Sequence, residues 1–277
     1  MAPRATTHHG RIDASTHRLV EGRPLRRRNG DVHRARARLG HSHLTDRHAL
    51  KLRHDVRQAL AEYWRTQGEL EHSSVVAYQD LARRLALLDA PQSLVRRSLG
   101  AAVQEADHWT RCFELAGRYL GQSLRPGRLR RPMRLPRSRT AELVAVAVET
   151  LRDGVINEAY VGRLAAAKAE RAVDQRVHDT LVIIAADELD HAALSRDILD
   201  WCLAVGGRPV YDMVNHMVTH MPTVTTGIEL PLGIQSHTLG DHGLFDADPD
   251  GVVFATLVNQ VRDELGVRLQ GHRHDAA

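Results

Sequence analysis

Aromatic residues make up only 4% of this 277-residue sequence, and it holds just two cysteines and two lysines. Cys112 and Cys202 are too few for a disulfide framework. Both fall in apolar helical patterns, which points to buried thiols and a reducing, cytoplasmic setting. The absence of any Cys-x-x-Cys pair excludes a thiolate-bound electron-transfer module from the chain. No apolar run approaches the ~18–20 residues of a membrane span. Arg26-Arg27-Arg28 is followed by Asn29-Gly30-Asp31 rather than an apolar stretch, so it does not read as an export signal. Lys51 and Lys168 are the only lysines among 38 basic residues. That skew reads as codon bias, so a single arginine carries little functional weight. With few aromatics and abundant Ala, Leu and Arg, the composition favours helices, in which unbranched side chains lose little freedom.

The net charge of +4 is unevenly spread: residues 1–50 hold 11 arginines against four acidic residues, a balance of +7 that leaves −3 for the remainder. Residues 1–55 lack apolar periodicity and are expected to form a basic, flexible tail, with a solvated arm favoured over a nucleic-acid contact. From 56 to 205 four long helical patterns follow: Val56 to Leu88, Ser93 to Leu120, Thr140 to Val173, and Gln175 to Val205. Each is near 30 residues, roughly 45 Å at about 1.5 Å per residue. Short turns at Asp89-Ala90-Pro91 and around Asp174 make each pair an antiparallel hairpin. Between the pairs, the 19 residues from Gly121 to Arg139 contain Pro126, Pro132, Pro136, seven arginines and no acid. Extended at about 3.3 Å per residue they reach about 60 Å, enough to cross the full height of the helices. The expected fold is therefore all-α: an antiparallel four-helix bundle with one long crossover. Residues 206–277 are expected to pack on it as an extension with an amphipathic stretch at Val210 to Met221 and a last helix at Val252 to Leu269.

One motif occurs twice, 83 residues apart: Glu105-Ala-Asp-His108 and Glu188-Leu-Asp-His191. Residues three apart share a helix face, so each acid and imidazole can grip one ion together. Both pairs lie on the apolar stripe, with Ala101, Cys112 and Leu115 around the first and Leu181, Ile184 and Ser195 around the second. Unpaired charge on an inward stripe is costly, and metal coordination is one of few compensations. The other two helices each offer one inward glutamate near mid-length: Glu71, on the face of Gln67, Ser74 and Tyr78, and Glu158, on the face of Leu151, Val155 and Ala165. Glu69 and Glu149 lie close by in sequence but on other faces. Counted from the turns, Glu158 stands 16 residues before Asp174 and Glu188 stands 14 after it, so the two come level. Four carboxylates and two imidazoles offset two divalent cations, and this oxygen-plus-imidazole set suits iron or manganese rather than structural zinc.

With these residues in hand, positions 56–205 resemble the ferritin-like superfamily of di-iron carboxylate proteins, and a group of bacterial ferritin-like proteins within it. The resemblance rests on Glu71-His-Ser-Ser, Glu105-x-x-His108, Glu158 and Asp187-Glu188-x-x-His191. It implies two iron ions held by Glu71, Glu105, His108, Glu158, Glu188 and His191, with Glu105 and Glu188 bridging or flanking the metals and the histidines terminal. It further implies that Asp187 orients His108. The matching residue in the second helix is Gln104 where the family pattern has aspartate, so the two halves should be unequal. Tyr78 and Cys112 are near enough to matter but read as core.

The expected function is a di-iron oxidoreductase that activates dioxygen or peroxide on a small organic substrate, supplied with electrons by a separate partner; a homodimer is compatible with it. The alternatives are a ferroxidase or peroxide scavenger, and a non-enzymatic interaction protein with a structural metal and a basic tail. Other signals are set aside. His216-Met-Val-Thr-His220 lacks the glutamate of a zinc peptidase. Asp246 to Leu257 lacks the bidentate acid of a calcium loop. His8, His9, His41 and His43 fall in the expected tail.

Overall fold

A computed structural model of the chain describes residues 23–26, 31–129, 137–225, 230–231 and 233–274, with side chains described to residue 266. His8, His9, Pro132 and Pro136 lie outside the described residues. The chain is predominantly helical, and no helix among the described residues is long and apolar enough to cross a membrane. Its main helices are α1 (His54–Leu87), α2 (Gln92–Leu120), α3 (Arg139–Glu149), α4 (Ala159–Arg171), α5 (Gln175–His220), α6 (Ser236–Gly240) and α7 (Val252–His274). A nine-residue π-helical segment, Thr150–Glu158, joins α3 to α4 into one rod. α1 packs chiefly on α2, the α3–π–α4 rod packs on α5, and α2 also meets α5.

The buried stripes explain this packing. Leu60, Trp64, Gln67, Glu71, Ser74, Tyr78, Leu81 and Leu85 repeat along α1 at alternating steps of four and three residues. Leu94, Ser98, Ala101, Glu105, His108, Cys112, Leu115 and Tyr119 do so along α2, and Val177 through Cys202 along α5. A repeat of this spacing keeps one seam facing its neighbours when helices cross at a shallow angle. The apolar members form two clusters, one around Tyr78, Leu85, Leu151, Ile198 and Leu199, the other around Leu60, Trp64, Leu115, Tyr119, Val177 and Leu181. Between these apolar layers the stripes turn polar, and all the singled-out glutamates and histidines fall in that middle layer.

Two expectations need correction. Within the expected tail, Arg23 to Leu25 are buried and Arg26 pairs with Asp153 at 2.8 Å, while residues 31–53 run mostly along the surface, tied down at points such as the Ala37 amide, which donates to Glu69 Oε1 at 2.8 Å. The helix expected from Thr140 to Val173 is not regular, as the π segment widens it at its centre. The mostly helical chain agrees with the all-α expectation and carries one small addition: β1 (Arg38–His43, which contains His41 and His43) pairs antiparallel with β2 (Gln122–Arg125), just after α2.

α5 breaks at Gly207 (φ 60°, ψ −160°) and resumes as a helix that ends at His220. Phe254, Leu257, Val258, Val261 and Leu265 of α7 join the first apolar cluster. Asp248 caps α7, accepting from the Val253 and Phe254 amides at 3.0 Å, and it also accepts from Tyr160 Oη at 3.1 Å. This acid thus serves as a helix cap. His216 and His220 stack on the surface with ring centroids 4.2 Å apart, and His220 Nδ1 bonds to the His216 carbonyl.

Candidate metal centre

The polar layer brings together all six residues singled out in the sequence. Glu71, Glu105, His108 and Glu188 offer one ligand atom each within 4.8 Å of one another, and so do Glu105, Glu158, Glu188 and His191. Each of the six is at most 2% exposed. Glu105 and Glu188 belong to both groups. The His108 Nδ1 atom lies 3.5 Å from Glu105 Oε2 and 3.9 Å from Glu188 Oε1. The His191 Nδ1 atom lies 3.5 Å from Glu105 Oε1 and 3.9 Å from Glu188 Oε2. Each of these two carboxylates therefore turns one oxygen to each imidazole.

The imidazoles are aimed from behind. His108 Nε2 lies 2.9 Å from Asp187 Oδ2, and His191 Nε2 lies 3.1 Å from Gln104 Oε1. Gln104 Nε2 in turn donates to Asp187 Oδ1 at 2.7 Å. The bond to His108 holds the Asp187 carboxyl below its usual range against the opposing effect of burial. A carboxylate only accepts, so His108 must carry its proton on Nε2. Gln104, with its amide nitrogen engaged by Asp187, presents only oxygen to His191, which fixes the same tautomer there. Both Nδ1 lone pairs are left facing the carboxylates, and neither Nδ1 has a hydrogen-bond partner among the described residues. Gln104 thus does for His191 what Asp187 does for His108.

Burial works against charge in this layer. Desolvation pushes Glu105 up to about 8, with Glu71 beside it offsetting part of the rise and the charges of Glu158 and Asp187 adding to it. Glu158 is pushed up to about 7 by burial, opposed by the Arg23 charge and by hydrogen bonds from Tyr78 and Ser195. Burial, and then the neighbouring His108, hold His191 down to about 3. The groups thus resist the ionised carboxylate state that a cation would restore. Buried acids, the depressed His191 imidazole and ring nitrogens facing the carboxylates together fit a cation, whose uptake would release protons.

The two ends of the layer differ. At Glu158, Tyr78 Oη donates to Oε1 and Ser195 Oγ donates to Oε2 at 3.3 Å. The Tyr78 ring is 5.1 Å from that of His191, and the Arg23 guanidinium sits 5.6 Å from the Tyr78 centroid while donating to Thr150 Oγ1 at 3.2 Å. Gly154 in the π segment permits this closeness, because a Cβ there would lie 2.1 Å from Ser195 Oγ. π segments are rare and often mark functional sites. At Glu71 a narrow cavity of about 20 Å³ opens instead, lined by Gln67, Cys112, Trp64, Tyr63 and Lys168 among others. A wider surface groove of about 500 Å³ between α2 and α5 is lined in part by Gln104 and His191.

Glu69 and Glu149, the neighbouring acids, point away. Glu69 pairs with Arg65, and Glu149 pairs with Arg84 of α1. Sequence reasoning missed Arg23 because it lies in an aperiodic segment, and it missed the relay role of Gln104 because an amide at that position has no motif. Comparison of the chain with family models, with curated proteins and with solved structures gives no match. The reading of the site therefore rests on its own residues.

Proposed function

We propose that the four rods form a ferritin-like bundle and that the chain is a di-iron carboxylate oxidoreductase that reduces dioxygen or peroxide. The observation that carries this reading is the pair of carboxylates, Glu105 and Glu188, each directing one oxygen toward each histidine Nδ1. Such a pair would bridge two cations, with Glu71 and His108 completing one position and Glu158 and His191 the other. A glutamate on each of two helices plus Glu-x-x-His on each of the other two is the ligand plan of ferritin-like di-metal proteins. Carboxylate and imidazole donors suit iron and manganese. When bound, an iron pair supplies two electrons to an oxygen substrate. The residues of the chain keep the imidazoles in their Nδ1-inward tautomer, exclude bulk water through the two apolar layers, and hold carboxyl protons that leave on loading.

The interior favours a ferroxidase or peroxide-type reaction over direct attack on an organic molecule. The space beside Glu71 is about 20 Å³, and the 500 Å³ groove is lined by Gln104 and His191 among others but by none of the four glutamates. A small-molecule site normally needs ~300 Å³ or more. The test is metal analysis followed by anaerobic ferrous loading and exposure to air. Two irons per chain and a near-ultraviolet ferric band are expected. Protein that binds fewer than two, or stays ferrous with every oxidant, contradicts the reading, and a purely structural metal would leave the ion redox-silent.

A further inference from the structure

Beside Glu71, the cavity between α1, α2, α4 and α5 is lined by a polar group that no described residue satisfies. Gln67 lines the cavity one helical turn before Glu71, is 7% exposed, and its Oε1 has no hydrogen-bond partner. A buried carbonyl oxygen without a donor is costly, so a ligand that donates to it is favoured. Lys168 of α4, which also lines the cavity and is 2% exposed, donates from Nζ to Tyr63 Oη at 2.8 Å. Trp64 of α1 and Cys112 of α2 add apolar or soft lining. Gly68 lets α1 and α2 approach closely here, since a Cβ there would lie 3.3 Å from Cys112 Cβ and 2.4 Å from the Phe113 ring.

From this geometry we infer that the cavity is a binding site for hydrogen peroxide, which approaches the cluster through the Glu71 side. The space of about 20 Å³ exceeds the ~10–15 Å³ that one water requires and excludes anything much larger than a two-oxygen molecule. Dioxygen has no hydrogen to give, so it leaves Gln67 Oε1 unsatisfied. Peroxide donates two hydrogens and accepts at both oxygens, matching an acceptor at Gln67 and donor chemistry at Lys168 and Tyr63. This inference rests on the di-iron reading and selects peroxide as its oxidant. Reduction of one peroxide breaks the O–O bond, takes two electrons (one from each of two ferrous ions) and two protons, and yields two waters.

The test has two arms. Crystals of the full chain loaded with redox-inert zinc are soaked in hydrogen peroxide; density for two linked oxygens against Gln67 is expected, and is lost in Gln67→Leu. In solution, the initial rate of ferrous oxidation by peroxide, divided by that with dioxygen, should fall at least about ten-fold in Gln67→Leu, which removes the acceptor at similar volume. Lys168→Met, which keeps Gln67 and the whole cluster, should lower the same ratio. A lone water that persists through the soak, or a ratio unchanged in both variants, overturns the peroxide site. A wild-type protein that binds iron but oxidises it with neither reagent overturns the di-iron reading instead, and the zinc crystals still decide the cavity.

Discussion

The two halves of the buried cluster share a floor and differ in their walls. Glu105 and Glu188 serve both, yet Glu158 is held by Tyr78 and Ser195 beneath the Arg23 guanidinium, while Glu71 faces a cavity. The behind-the-ring partners differ as well, with a carboxylate on His108 and an amide on His191. An anionic partner raises the basicity of a ligating imidazole more than a neutral one does. One half is thus locked in place, and the other has room for an exchangeable ligand. A symmetric ligand motif in sequence gives an asymmetric site because everything around the ligands comes from different segments.

Removing what the halves share should have the largest effect. The double variant Glu105→Ala, Glu188→Ala is expected to drop bound metal from two ions per chain to none, measured by elemental analysis; retention of one ion would mean that the halves do not depend on the shared carboxylates. Next, Gln104→Leu frees the amide contact to His191 and should weaken one metal position by ~10–100-fold in a competitive chelator titration, leaving the His108 position closer to wild type. Equal weakening of both would show that the relay through Asp187 couples the halves. Tyr78→Phe should destabilise the metal-free protein by about 1–3 kcal/mol in urea unfolding, since Glu158 loses a buried donor.

The smallest effect expected is a pH trend. Glu105 and Glu158 have folded-state values raised above the unfolded ones, to about 8 and about 7, so the folded state binds more protons and its stability falls as pH rises from the unfolded carboxylate range to those values. His191, depressed to about 3, acts oppositely below about 6.5 and adds no slope above it. Metal-free protein should therefore lose thermal stability between about pH 6.5 and 8, and metal-loaded protein should not. A flat profile in the metal-free form would place the carboxyl protons elsewhere.

Much of this site is legible in the chain itself. Glu71, Glu105, His108, Glu158, Glu188 and His191 stand out because each interrupts an apolar stripe at mid-helix, and a stripe position reports direction without any knowledge of the neighbours. Helix boundaries were close for the same reason, with proline, Asp174 and the paired glycines at 206 and 207 marking the ends. The π segment was not legible: it goes with Gly154 meeting Ser195 and Asp153 meeting Arg26, contacts between segments far apart in sequence. Arg23 escaped notice because a single arginine in an aperiodic, basic stretch has no periodicity to betray its burial. The strand pairing of β1 with β2 was equally hidden, since neither segment alternates apolar and polar residues.

By itself, then, the sequence determined the helical rods, the inward direction of six polar side chains and the common height at which they lie, because helical periodicity and turn positions are local properties. Only the tertiary structure decided that Gln104 steers His191, that Tyr78 and Arg23 close one half, and that Gln67 and Lys168 border a cavity at the other. Those are relations between surfaces, set by how helices approach and by which small residues let them, and no single stretch of chain contains that information.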